Sequence, residues 1–473
     1  MRKFFYTTIL MLLNLSLWAN NIQISSVALT NDSTITFSIS WENSWRVSVA
    51  PNNHDAAWIF IKKRDCASGQ WSHVDLSTTG ANHTAGAPLE TYLDGKDGGG
   101  VAKGLFLRRS ADGVGNITSV SVSIRMVGLA PGEYDFRVFG VEMVNIPQGA
   151  YNLGDGNIST GSFKNGSTSN VLPITSENAI TVGTASGNLY TASSTYRPVS
   201  LPANYPKGFA EVYCMKYEIS QGQYVDFTNS LNSDQGAARH FSSAANRHNV
   251  TGIWPVAVAN APHRAKNFLA WTDLVAYLDW AALRPMTELE YEKITRGAAP
   301  VVAGGYAWGT SNITDGNTIV SDGTATEGVS TGITPGSGLA NFNNSTILGP
   351  LRCGFAAKAG TTRYEAGATY YGVMEMSGNV WEQTITTRNA TGTAFAGNLG
   401  DGELSLTPTP GFANVASWPS QQASVTSTSS AVGRAFRGGG WGDVSSRLRT
   451  SDRASINGLD GRRINSYGGR GVR

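Results

Sequence analysis

Between Asn21 and about Val138, apolar and polar residues alternate in short runs. "SSVALTNDSTITFSISWENSW" alternates around an Asn-Asp turn signal, and "AAWIFIKKRD", "GLFLRRSADGVGNIT" and "LAPGEYDFRVFGVEM" repeat the style. Successive side chains on a strand point to opposite faces, so this pattern predicts half-buried strands separated by Gly/Asn/Asp turns. The expected unit is an antiparallel β-sandwich over 20–139.

From "VNIPQGAYNLGDG" (144–156) the texture changes. A Ser/Thr/Asn/Gly stretch to about 195 reads as surface loop with little order of its own. "VYCMKYEISQGQYVDFTNSL" opens like a strand. Ser220 then predicts a helix cap, with Tyr224, Phe227 and Leu231 on one helical face. "WTDLVAYLDWAAL" predicts a helix capped by Thr272, with Leu274, Val275 and Leu278 in its apolar stripe. "RPMTELEYEKITRGA" carries the capping box Thr287-x-x-Glu290, and Gly297 marks the end of that helix. Glu288 and Glu292 on the same helix are carboxylates available for acid–base work, whereas capping already explains Glu290. Between 299 and 365 Gly, Asn, Thr and Ser dominate again. So much irregular chain needs anchors, and Tyr306, Trp308 or bound cations are the candidates.

The chain has 473 residues, more than one core ordinarily serves, so two domains are expected. A net charge of +2 gives no overall pull toward nucleic acid. Residues 1–19, with Arg2 and Lys3 before an apolar run ending at Trp18 and Ala19, read as a secretory signal peptide. The run is short and broken for a membrane anchor, and no later stretch is long and apolar enough to span a bilayer. The expected location is therefore secreted, cell-surface or periplasmic. Cys66, Cys214 and Cys353 are too far apart for metal-ligand spacing. One pair could bridge, or all three could be small buried residues. His54, His73 and His83 are scattered and read as solvated loop residues.

At "YEISQGQY", "RPMTELEYEKITRG", "YAWG", "YYGVMEMSGNVWEQT" and "RGGGW…R…GGRGVR", in this order, the chain resembles the formylglycine-generating enzymes, also called sulfatase-modifying factors. The likeness covers about 140–473. It implies an α+β domain with little regular structure, related to the C-type lectin fold, following the β-sandwich. In the family's oxidases a cysteine pair just after the Gly-Gly-Ser block binds copper and uses oxygen to turn a substrate cysteine into formylglycine. Thiolates are soft ligands suited to Cu(I). Here Arg437-Gly438-Gly439-Gly440-Trp441 is followed by Gly442, Asp443, Val444, Ser445, Ser446 and Arg447, and no cysteine occurs after Cys353. Copper is therefore not expected, and no catalytic residue is assigned. A second branch of the family uses iron held by a His-x-x-x-His-x-Glu helix, a spacing that His240, His248 and His263 lack.

The resemblance implies a structural calcium site made by the carbonyls of Gly378 and Val380 with the Glu382 carboxylate. The alternative is a packed turn pinned by Asn379. A second family calcium site would fall at Asn341 and Phe342, with Phe355 a further match, but the family's aspartate aligns near Cys353. The segment 434–473 holds nine arginines and three aspartates. Arg437, Arg453, Arg470 and Arg473 belong to framework blocks, where guanidinium groups tie loops together. In lectin-like relatives the intervening stretch carries the ligand surface, which makes Asp443, Ser445, Ser446 and Arg447 the expected binding residues. The expected function is capture of a protein or glycan partner outside the cytoplasm, or a role in a surface assembly, without oxidase activity. The alternative is a formylglycine-type oxidoreductase with atypical ligands.

Overall fold

The computed structural model describes residues 21–343 and 346–473; the expected signal peptide lies outside them. The alternating segments form strands β1 (Gln23–Asn31), β2 (Thr34–Arg46), β3 (Asp55–Asp65), β4 (Trp71–His73), β5 (Thr84–Ala85), β6 (Leu89–Tyr92), β7 (Leu105–Arg109), β8 (Gly113–Arg125) and β9 (Tyr134–Ile146). One sheet runs β1-β2-β8-β5. The other runs from the strand Val212–Met215 through β9, β3 and β7 to β6, with β4 paired to β3. Neighbours in both sheets pair antiparallel.

Strand β3 shows why the second sheet joins the whole molecule together. Its residues Ala57, Ile59 and Ile61 belong to a core that also takes Ile35, Phe37, Ile39 and Trp41 from β2 and Val122 and Ile124 from β8. Its alternate residues Ala56, Trp58 and Phe60 enter a different core, with Leu274, Leu278 and Trp280 from the C-terminal part. Both faces are covered, which is why "AAWIFI" is apolar without interruption. The Trp58 indole N–H donates to the Ala281 carbonyl at 2.8 Å. Position 139/140 falls inside β9, and the same strand pairs with β3 on one side and Val212–Met215 on the other.

The helices are α1 (Gln221–Thr228), α2 (Ser233–Arg239), α3 (Trp271–Trp280), α4 (Glu288–Arg296) and a short turn of helix at Ala390–Thr393. Ser220 and Gln223 make a reciprocal capping box on α1, and Thr287 and Glu290 make one on α4. Gly297, at φ 61°, ends α4. The expected Thr272 cap is corrected: α3 starts at Trp271, and the Asp273 carboxylate accepts the Ala270 N–H instead. A carboxylate three residues into the helix reaches back where the hydroxyl was expected to act.

Two other expectations change. The stretch 144–195 is irregular but anchored. Tyr151–Leu153 pairs with Leu172–Ile174, Lys164–Asn165 pairs with Leu189–Tyr190, and Leu153, Phe163 and Leu189 are buried in the core. The histidines are not solvated loop residues. His73 and His83 are buried, with ring nitrogens on the carbonyls of Lys103 and Ser77, and burial lowers both pKa values. Tyr306 and Trp308 do anchor the 299–365 region, as a buried stack with centroids 5.0 Å apart.

Candidate functional site

The strand Glu382–Ile385 pairs antiparallel with Arg434–Arg437, and α4 packs against both. This places Arg437 between two carboxylates of α4. Arg437 Nη1 lies 3.3 Å from Glu288 Oε2, and Nη2 lies 2.8 Å from Glu292 Oε1. Arg453 Nε meets Glu288 Oε2 at 2.7 Å and its Nη1 donates to the carbonyls of Gly161 and Tyr196. All four side chains are fully buried. Burial alone would raise the Glu288 carboxyl; Arg453, then Arg437, outweigh it and hold its pKa below the ordinary value. Glu288 and Glu292 are thus bound as framework ion pairs, and the acid–base role the sequence left open for them gains no substrate-facing carboxylate.

The remaining framework arginines act in the same way. Arg470 pairs with Glu382. Arg473 pairs with Asp94 and Asp97 in the loop before β7 and donates to the Ala282 carbonyl. Arg434 donates to Gln383 and to the carbonyls of Gly458 and Asp460. The local excess of positive charge is therefore largely spent inside the protein.

The turn at 376–381 packs against this frame. Gly378 has φ 96°, and a Cβ there would stand 2.7 Å from the Asn341 carbonyl oxygen, so only glycine fits. Asn379, at φ 66°, ties three segments together. Its Oδ1 accepts from the Leu351 N–H at 2.8 Å and from Asn341 Nδ2 at 3.1 Å, and its Nδ2 donates to Glu218. Glu218 also accepts the Val380 N–H at 3.0 Å. The sequence reading passed over Glu218. The only signal was a charged residue inside the apolar-alternating run "VYCMKYEI".

The carbonyls of Gly378 and Val380 accept no hydrogen bond among the described residues. Glu382 is buried, with Oε1 on Arg470 and Oε2 without a partner. Burial raises its carboxyl pKa, and Arg470 works against that shift. These three oxygens suit a hard cation; the adjacent guanidinium opposes one. At the second expected position the Asn341 carbonyl already accepts the Asn379 N–H at 2.9 Å, and the Phe342 N–H bonds to Asp315. Among the described residues no group of three or more His, Cys, Asp or Glu side chains is placed to hold a metal. Any cation here would rest on backbone carbonyls with at most one or two carboxylates.

After Arg437 the chain turns through Gly438 and Gly439, both at positive φ. Trp441 is buried and its indole donates to the Asn465 carbonyl at 3.1 Å. Asp443 is half-buried. Its Oδ2 accepts the Gly440 N–H at 3.0 Å, and Trp381 also donates to it. Burial raises its pKa, offset in part by these bonds and by Arg447. Ser445 and Ser446 are half-buried in a 3-10 turn, Ser445–Leu448. Arg447 is partly exposed, 3.8 Å from Asp452. The structure thus brings the four expected binding residues into one turn, with Val444 the most exposed side chain between them.

All three cysteines are free. Cys66 is exposed, while Cys214 and Cys353 are buried. Burial pushes the Cys214 thiol up to about 12 and Cys353 well above its ordinary value. A thiol held protonated is a poor nucleophile and a poor metal ligand.

No helix among the described residues is long and apolar enough to cross a membrane. Residues 142–473, more than half of the chain, match the model of the sulfatase-modifying factor enzyme 1-like domain. No curated protein matches the chain.

Proposed function

Because the chain belongs to the sulfatase-modifying factor enzyme family, we propose that it keeps the family's frame without the copper chemistry, and serves to bind a partner outside the cytoplasm. The observation that carries this reading is Asp443. It stands in the turn where the resemblance places the first copper thiol, and its carboxylate is used to hold the Gly440 N–H. An oxygen ligand of that kind is hard and does not replace a thiolate for Cu(I). The buried, protonated Cys214 and Cys353 do not supply the pair either.

In this reading the turn 443–447 is the binding surface, the partner a protein or glycan, and residues 20–139 a β-sandwich that displays a lectin-like domain. The two sheets sharing one core support the sandwich description. Secretion rests on the basic and apolar start of the chain. Calcium is proposed as a structural ion at the carbonyls of Gly378 and Val380 with Glu382; their free oxygens support it. Metal analysis of the purified protein tests the reading. Copper well below one equivalent per chain is expected, and stoichiometric copper that survives dialysis would overturn it.

A further inference from the structure

A cavity of about 250 Å³ opens between the C-terminal end of α4, the loop 299–309 and the segment 363–370. Three of its walls are tyrosine rings. Tyr306 is fixed by its stack on Trp308. Tyr370 packs edge-on against Tyr371 at 5.0 Å, in a place that exists because Gly297 has no side chain: a Cβ there would stand 2.4 Å from Tyr370 Cδ1. Tyr364 is 42% exposed at the rim.

One cation in this wall lacks a counter-charge. Arg363 Nη1 donates to the carbonyls of Trp308 and Ala368, both at 3.1 Å, which fixes the guanidinium. The group sits 4.3 Å from the Tyr364 ring centroid. Among the described residues no carboxylate lies within ion-pair distance of it, and Nε and Nη2 have no partner. Glu365, two residues on, is turned back to Thr362. The other arginine of the cavity, Arg296, is occupied by Glu292, Ser451 and the Asn152 carbonyl.

A mainly apolar cavity with one placed polar group is the usual form of a small-molecule site. An immobilised guanidinium with its Nε/Nη2 edge free matches a carboxylate. Flat aromatic walls match a ring. We propose that this cavity binds a small ring-bearing carboxylic acid, with the carboxylate on Arg363 and the ring among Tyr306, Tyr364 and Tyr370. The site is separate from the turn 443–447 and does not depend on how that turn is read. Two sources share this chemistry: an aromatic acid and an acidic sugar.

The full chain is titrated with benzoate and with methyl glucuronide, each beside its neutral counterpart, benzamide or methyl glucoside. Calorimetry and amide NMR follow the binding. At least one acid is expected to bind about tenfold tighter than its neutral counterpart, the effect of one charge-assisted pair. The arm that responds identifies the ring. Arg363→Gln is expected to erase the acid preference, and Tyr364→Ala at the exposed rim to weaken both ligands. Amide shifts are expected at Gly309, Tyr364 and Thr450. Equal binding of acid and neutral forms, no saturable binding of either acid, shifts confined to other regions, or an acid preference surviving Arg363→Gln would overturn the proposal. Should that variant not fold, the wild-type comparison, the shift map and Tyr364→Ala decide the matter without it.

Discussion

Between the two sheets, the side chains of β2, β3, β7 and β8 that meet are Ile, Leu, Val, Ala, Phe and Trp. Around α4, side chains equally buried are Glu288, Glu292, Arg437 and Arg453. The first region is held by apolar area, which is indifferent to the identity of its neighbour so long as volume is kept. The second is held by charges that each need a specific partner, because a buried charge left alone is far more costly than the pair is favourable. That difference gives a physical reason why a frame would persist even if, as proposed here, its chemistry did not. Arg437 answers to α4, and it does so whether a thiol or Asp443 follows Trp441.

The comparison is broken most severely at Glu288. Glu288→Gln leaves Arg453 without its carboxylate, and about 3–5 kcal/mol of stability is expected to be lost in denaturant titration. The pH dependence of that loss sharpens the point. The folded carboxyl lies below the ordinary value of 4.5, so its contribution is full above the unfolded pKa and disappears as pH falls through the folded pKa. The gap between wild type and variant should therefore be constant at neutral pH and close below about pH 4. A gap that stays open in acid would show that Glu288 acts by packing.

In the two-sheet region Leu107→Ala should cost about 2–5 kcal/mol through transfer and cavity, with no comparable change between neutral and acid pH. If calcium belongs to the α4 region, chelation should lower stability by about 2.7 kcal/mol relative to calcium at a hundred times its dissociation constant. Glu382→Gln should reproduce much of that loss, and a melting temperature indifferent to chelator would leave "SGNVWE" as a packed turn. The smallest effect is expected at the proposed binding turn. Asp443→Ala with Arg447→Ala removes the bonds from the Gly440 N–H and from Trp381 and a long surface pair, about 1–2 kcal/mol together, while weakening partner capture. A double variant that unfolds would move both residues into the frame.

How far these regions could be read in advance follows the same division. Alternation revealed the strands between 21 and about 138, because the period of two survives wherever one face is buried. It was less informative at "AAWIFI", where both faces are covered. Capping at Ser220 and Thr287 was legible because a cap is a local event; the start of α3 was not, since Asp273 competed with Thr272. The Arg437–Glu288 and Arg473–Asp94 pairs join residues 149 and 379 positions apart, and nothing local marks them. The arginines could be assigned to a framework, but their partners could not be named. Glu218 was missed for that reason, and of the cavity around Arg363 only the Tyr306 anchor was legible, Arg363 itself lying in a stretch otherwise read as Gly/Asn/Thr/Ser loop.

Turnover tests the central claim most directly. The purified full chain is incubated with copper, oxygen and peptides of the Cys-x-Pro-x-Arg type that the resembling oxidases modify, and the peptide mass is followed. On the proposed reading, in which Asp443 stands where the resemblance places a thiol, no formylglycine is predicted above the protein-free control. Conversion at an enzyme-like rate would contradict the account and restore the chain to catalysis with ligands other than the thiol pair.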